Sequence, residues 1–250
     1  MSYNLKCTDE IICFQNPLNH KKKLKVSKGY VAWGNNTTGQ LGDNSDINIE
    51  IPKIFKLIGV KQIACGADHT ALLLNNGKVY TCGADQFGQL GNGTTTNTIS
   101  LTFKIIDPTP SGGKVIQISC GFSHTALLLN NGQVYTCGYN NFGQLGRLPI
   151  EDINPEFKII NPTPLGGKVI QISCGYFYTA LLLNNGQVYT CGNNSSGQLG
   201  NGTTTNSTVF KIINPTPLGG KVIQISCGYF HTALLLNNGQ VYTCGNNFYG

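Results

Sequence analysis

Ten cysteines in 250 residues are the side chains of this sequence best able to do chemistry. Eight recur at two phases: Cys65, Cys120, Cys174 and Cys227 in one, Cys82, Cys137, Cys191 and Cys244 in the other. A histidine follows the first set four residues on, as Cys65/His69, Cys120/His124 and Cys227/His231, a spacing that could offer two ligands to zinc. The third unit puts Tyr178 in that place. A metal ligand does not exchange with a phenol, whereas a side chain giving one structural hydrogen bond does. The two cysteine phases close strands that flank a third strand, about 9.5 Å apart, and a disulfide spans at most ~7 Å between Cα atoms. The cysteines are therefore read as small buried apolar residues, and no metal is expected.

Gly-Gln-Leu-Gly, beginning at Gly39, Gly88, Gly143 and Gly197, shares only its glycines with a phosphate loop. No Gly-Lys-Ser/Thr and no helix follow, so the anion-binding helix end is missing. The glycines are read as turn-formers, and Leu90, Leu145 and Leu199 as plugs between sheets. The carboxylates Asp43, Asp46, Glu50, Asp68, Asp85, Asp107, Glu151, Asp152 and Glu156 are not paired by the repeat phase, and no Ser/His/Asp set stands out. No catalytic residue and no cofactor is expected, and the chain is not read as an enzyme. Trp33, standing where later units have cysteine, is expected in the core.

The elements that hold these residues repeat. The tetrads are 49, 55 and 54 residues apart; Cys-Gly-x-x-(His/Tyr)-Thr-Ala-Leu-Leu-Leu-Asn-Asn-Gly and Val-Tyr-Thr-Cys-Gly keep intervals of 55, 54 and 53. In the unit from Lys168, Val169–Ser173 is β-branched and reads as a strand. Thr179–Leu183 carries three consecutive leucines, tolerable only in a strand covered on both faces. Asn184-Asn185-Gly186 predicts a tight two-residue hairpin turn, Val188–Cys191 the return strand, and Val209–Ile213 a fourth strand ended by Asn214-Pro215. Four antiparallel strands per unit of about 54 residues describe a blade. The fold class is all-β, a β-propeller of about five four-stranded blades over residues 29–250.

Charged residues are only 11 %, with 32 Gly and 28 Asn in their place. No apolar run approaches the ~20 residues of a membrane span, so no membrane contact is expected. Met1–Glu10 lacks the apolar segment of a secretory signal, which implies an intracellular protein, cytoplasmic or nuclear. Six of the 17 cations lie in residues 1–28, a basic segment in which Lys21, Lys22, Lys23 and Lys25 form a patch. The remainder is nearly neutral, so the repeats have no general basic field for nucleic acid, and it is not expected as their partner.

The string Cys-Gly-x-x-His-Thr-Ala-Leu-Leu-Leu-x-x-Gly-x-Val-Tyr-Thr-Cys-Gly-x-Asn-x-x-Gly-Gln-Leu-Gly resembles the regulator-of-chromosome-condensation repeat family, from Gly29 to Gly250. Tryptophan-aspartate propellers carry a Trp-Asp pair absent here, and kelch blades place Gly-Gly after a strand rather than before it. Family members usually have more blades than this sequence holds. The fifth unit stops at Gly250, where a further tetrad should begin. Ile11–Pro17 mimics Phe210–Pro215, so residues 11–14 could pair beside Val241–Cys244 and close a five-bladed ring. The alternative is an open arc with bare edges.

A binding surface belongs where units differ within a constant frame. Such positions give the candidate protein-binding residues Asp68, Phe87, Phe122, Phe142, Tyr176, Phe177, Tyr229, Phe230 and Phe248, rich in the aromatics that anchor interfaces. The divergent loop Arg147–Glu156 adds three acids. The leading expectation is a non-catalytic protein-interaction scaffold with a protein partner. The resemblance implies an alternative, guanine-nucleotide exchange on a small GTPase, although no wedge-sized insertion is present. A third reading is chromatin or nucleic-acid binding through Lys21–Lys28 of the basic segment.

Overall fold

Triple leucines that fill both faces of a strand need a neighbouring sheet on each side, and the architecture supplies one. The computed structural model describes residues 29–94, 99–106, 113–148, 151–160, 166–213 and 219–248, which contain strands and turns and no helix. Blade I has β1 (Gly29–Gly34) and β2 (Ile49–Lys56). Blade II has β3 (Val60–Cys65), β4 (His69–Leu74), β5 (Val79–Gly83) and β6 (Ser100–Ile106). Blade III has β7 (Val115–Cys120), β8 (His124–Leu129), β9 (Val134–Gly138) and the two-residue β10 (Lys158–Ile159). Blade IV has β11 (Val169–Cys174), β12 (Tyr178–Leu183), β13 (Val188–Gly192) and β14 (Ser207–Ile212); blade V has β15 (Val222–Cys227), β16 (His231–Leu236) and β17 (Val241–Gly245). Each sheet is an antiparallel meander in chain order.

The second strand of each inner blade is buried throughout. Alternation sends Leu127 and Leu129 into a cluster with Ala71 and Leu73 of blade II, while Ala126 and Leu128 join Leu181 and Leu183 of blade IV. Successive blades thus share one core, and each leucine so buried contributes about 1.5–3 kcal/mol. Leu90, Leu145 and Leu199 are at most 2 % exposed, as expected of plugs.

Blades are also locked by hydrogen bonds. A bulge after the first residue of β7, between Val115 and Gln117, aims Gln117 at the next blade, where Nε2 donates to Ile172 O (3.0 Å) and Oε1 accepts from Ile172 N (3.0 Å). Gln62 does the same to Ile118 and Gln171 to Ile225. A side-chain amide here stands in for a backbone strand partner. The tetrad glutamines add a second lock through their carbonyls: Gln89 O accepts from Thr125 Oγ1 (2.7 Å) and Cys137 Sγ (3.6 Å) of blade III. Gln40, Gln144 and Gln198 repeat it.

Three expectations change. The hairpin turn is a three-residue loop: Leu74 N donates to Lys78 O and Gly77 N to Leu74 O, each at 2.9 Å. Only its glycine has positive φ (Gly77, 89°), which fits a type I turn with a glycine bulge, since a two-residue type I′ turn needs positive φ twice. Trp33 is half-buried rather than core, because blade I shows only its β1–β2 pair among the described residues. The fourth strand of blade III shrinks to β10 because the divergent loop before it bonds to itself and to β9, through Asn154 to Glu151 O and Gly138 O.

Among the described residues the sheets do not close. One face of blade V is less covered: in β16 buried positions alternate with exposed His231 and half-buried Ala233 and Leu235, and Val241 and Tyr242 of β17 are exposed. The expected closing strand at 11–14, and the patch Lys21, Lys22, Lys23 and Lys25, lie outside the described residues.

Candidate functional site

In an antiparallel meander the turn after the first strand and the loop after the third emerge at the same end of a blade. Every candidate binding residue lies on one of these two connections. The first turns, Cys-Gly-x-x, succeed one another around the axis. Ala67 N donates to Phe122 O (3.2 Å), Phe122 N to Tyr176 O (3.0 Å) and Tyr176 N to Tyr229 O (3.3 Å). They line a cavity of about 630 Å³ at the axial mouth, with Asp68, Phe122, Tyr176 and Tyr229 on its wall.

This backbone ladder stacks the aromatic rings. Tyr176 lies on Tyr229 at 3.7 Å between centroids and against Phe122 and Phe177 at 4.2 Å each. Phe177 stacks on Phe142 (4.9 Å) and reaches Tyr139 (5.6 Å), which touches Phe87 (4.7 Å). Phe230 joins through Tyr229 (4.5 Å). Seven of the nine expected residues therefore form one cluster across blades II to V, with Tyr139 bridging it. Asp68 sits at the cavity wall, where its backbone carbonyl accepts from Ala84 N and Thr38 Oγ1. Phe248, on the loop after β17, is 81 % exposed. Burial and a hydrogen bond to Tyr176 push the Tyr229 phenol up to about 12, although half its surface remains open.

The residues that suggested chemistry are used structurally. His69 Nε2 meets Thr125 Oγ1 at 2.9 Å, and His124 Nε2 meets Thr179 Oγ1 at 3.0 Å. Each threonine spends its one proton on a tetrad glutamine carbonyl, so the imidazole nitrogen is the donor. Tyr178 in the same seat donates from its hydroxyl to His231 O of blade V, so phenol and imidazole do equivalent work. The glycine after each cysteine makes room for the ring; a Cβ on Gly121 would lie 2.0 Å from His124. The described cysteines are unbridged. Cys120, Cys174 and Cys227 give their thiol protons to carbonyls of the preceding blade at 3.5–3.6 Å, and burial pushes Cys174 up to about 12 and Cys227 to about 11.

The Regulator of chromosome condensation (RCC1) repeat matches residues 32–73, 76–128, 131–182 and 185–235, and a second pattern of the same repeat matches 60–89, 115–144, 169–198 and 222–250. The human E3 ubiquitin-protein ligase HERC2 is 32 % identical over 238 residues, which is 92 % of this chain and 5 % of that protein. Human WBSCR16 superposes with a TM-score of 0.76 at 28 % identity, over 88 % of this chain and 57 % of that one. Prp20p from Saccharomyces cerevisiae gives 0.70 at 22 % identity over 87 % of this chain and 51 % of its own, a likeness of fold. The chain thus spans a small part of HERC2 and little more than half of the two solved chains. With four consecutive repeats matched over most of its length, the chain belongs to the Regulator of chromosome condensation (RCC1) repeat family.

Proposed function

We propose that this chain is a non-catalytic scaffold that binds a protein partner through the aromatic cluster at the axial mouth. The observation that carries the reading is the contiguity of Phe87, Phe122, Tyr139, Phe142, Tyr176, Phe177, Tyr229 and Phe230, four blades' worth of rings at one end of the arc beside an open cavity. Contiguous apolar surface with polar hydroxyl tips is the composition of an interface core. The neighbour Prp20p has binding properties to Gsp1p and histones, which supports a binding role for the fold. Affinity capture with the folded chain should recover a partner that a Tyr176→Ala/Tyr229→Ala variant of unchanged melting temperature loses. Retention of every captured protein by that variant would refute the reading. Nucleotide release from a panel of small GTPases should stay at its basal rate; acceleration would put exchange activity in its place.

A further inference from the structure

In blades I to IV one residue organises the loop that carries the tetrad, after β1, β5, β9 and β13. Its Oδ1 accepts from the tetrad leucine: Asn36 from Leu41 N (2.9 Å), Asp85 from Leu90 N (3.0 Å), Asn140 from Leu145 N (3.0 Å) and Asn194 from Leu199 N (2.9 Å). Its other polar atom pairs with the residue seven positions on. Asn36 Nδ2 donates to Asp43 Oδ1 (2.8 Å), Asp85 Oδ2 accepts from Asn92 Nδ2 (2.7 Å), and Asn194 Nδ2 donates to Asn201 Oδ1 (3.1 Å).

Blade III breaks the pattern, because the seventh residue on is Arg147. Amide and guanidinium nitrogens are both donors, so the seventh residue offers Asn140 Nδ2 no acceptor. Asn140 cannot turn its amide round, since Oδ1 is held by Leu145 N. Asn140 Nδ2, Arg147 Nε and Arg147 Nη2 are accordingly buried without a hydrogen-bond partner among the described residues, in side chains of residues 0 % and 5 % exposed. Glu151 is near enough for its charge to favour the guanidinium, yet it satisfies neither Nε nor Nη2. A cation left unpaired in a protein interior is among the most costly arrangements a fold can hold, and here the three orphaned atoms are all donors.

We propose that Arg147 and Asn140 form a carboxylate-binding site. Nε and Nη2 make up one edge of the guanidinium fork, the edge that takes both oxygens of a carboxylate in parallel hydrogen bonds. Asn140 Nδ2 supplies a third donor. A single cation beside Glu151, with no lysine among the partners, matches one negative charge and disfavours a divalent phosphate. The loop also carries Tyr139 and Phe142, which belong to the aromatic cluster, so the anion site borders that face. The carboxylate comes either from a small molecule or from an acidic side chain of a bound protein. The proposal stands without the scaffold reading, because its probes are simple anions.

The test is thermal unfolding of the whole chain in acetate against chloride, at pH 7 and equal ionic strength. Acetate should raise the midpoint saturably and move the Arg147 Nε–H resonance; inorganic phosphate should do less. Arg147→Asn, which installs the residue of blade IV, should fold and lose both responses. Arg147→Lys keeps the charge without the fork and should bind at least tenfold more weakly. A blocked glutamyl tripeptide that displaces acetate with higher affinity identifies a protein side chain as the source; acetate binding alone identifies a small molecule. Equal acetate responses in wild type and Arg147→Asn would overturn the proposal, as would no response in wild type and Glu151→Gln alike. A response that appears only in Glu151→Gln would also overturn it, since Glu151 would then be the occupant.

Discussion

Acidifying this protein from pH 7 to pH 5 should cost it stability through two side chains, His69 and His124. Both are at most 1 % exposed, and both carry Nδ1 without a hydrogen-bond partner among the described residues while Nε2 donates to the next blade's threonine. A second proton must go to Nδ1, where nothing accepts it. Burial holds His69 at about 4; burial and then the charge of His69 hold His124 at about 3, against 6.5 for an ordinary imidazole. Between these values the unfolded chain binds more protons than the folded one, so the stability is whole above 6.5 and drains away as pH falls towards 4. At pH 5 each histidine costs about 2 kcal/mol, and the pair about 4 kcal/mol. For a chain of this size that is a melting temperature lower by roughly 8–16 °C. Blade IV shows how to remove the effect, since Tyr178 fills the same seat with a group that does not titrate in this range. Scanning calorimetry of wild type and of His69→Tyr/His124→Tyr at both pH values should show the extra drop in wild type alone, with each single variant removing half. Equal drops in all four proteins would refute the reasoning.

Asp85 acts in the opposite direction. It stands where the other blades have Asn36, Asn140 and Asn194, and burial lifts its carboxyl to about 6, so its contribution to stability grows as pH falls below 7. Asp85→Asn would recreate the Asn194–Asn201 pair of blade IV and should raise the melting temperature at pH 7 by a few degrees while steepening the acid loss measured between pH 6 and 4. Glycines of the tetrad should differ sharply from one another in denaturant titrations. A Cβ on Gly91 (φ +67°) would lie 2.1 Å from the Phe157 ring and 3.0 Å from Cys137 Sγ, whereas one on Gly197 (φ +77°) meets nothing within 4 Å. Gly91→Ala should cost more than about 3 kcal/mol and Gly197→Ala about 1–2 kcal/mol, the backbone term alone; similar costs for the two would show that the close approach relaxes freely.

The meander, its period and the doubly covered second strand were legible because each is written in side-chain types that recur locally. Tyr178 in a histidine position pointed to the structural hydrogen bond that His69 and His124 make to the next blade. What joins one blade to the next was not legible. The tetrad glutamines act through their carbonyls and the inner-strand glutamines through contacts some 54 residues away, so neither leaves an apolar pattern to follow. The signal that could have found the second was a glutamine kept amid β-branched residues at Gln62, Gln117, Gln171 and Gln224. The aromatic positions could be named from the sequence, but not their stacking, which depends on how tightly the first turns wind about the axis. The Arg147 site was hidden because an arginine among variable loop residues reads as solvated until the atom it displaced is known.

The inner-strand glutamine bonds always reach forward, from one sheet to the backbone of its successor, and the groups they grasp are common to every unit. A junction of that kind is indifferent to which unit follows. Residues 161–177 and 214–230 are identical, so genetic exchange between them would add or delete a whole sheet and leave the seam unaltered. The length of such an array is a quantity that heredity can tune in whole steps, without inventing a single new point of attachment.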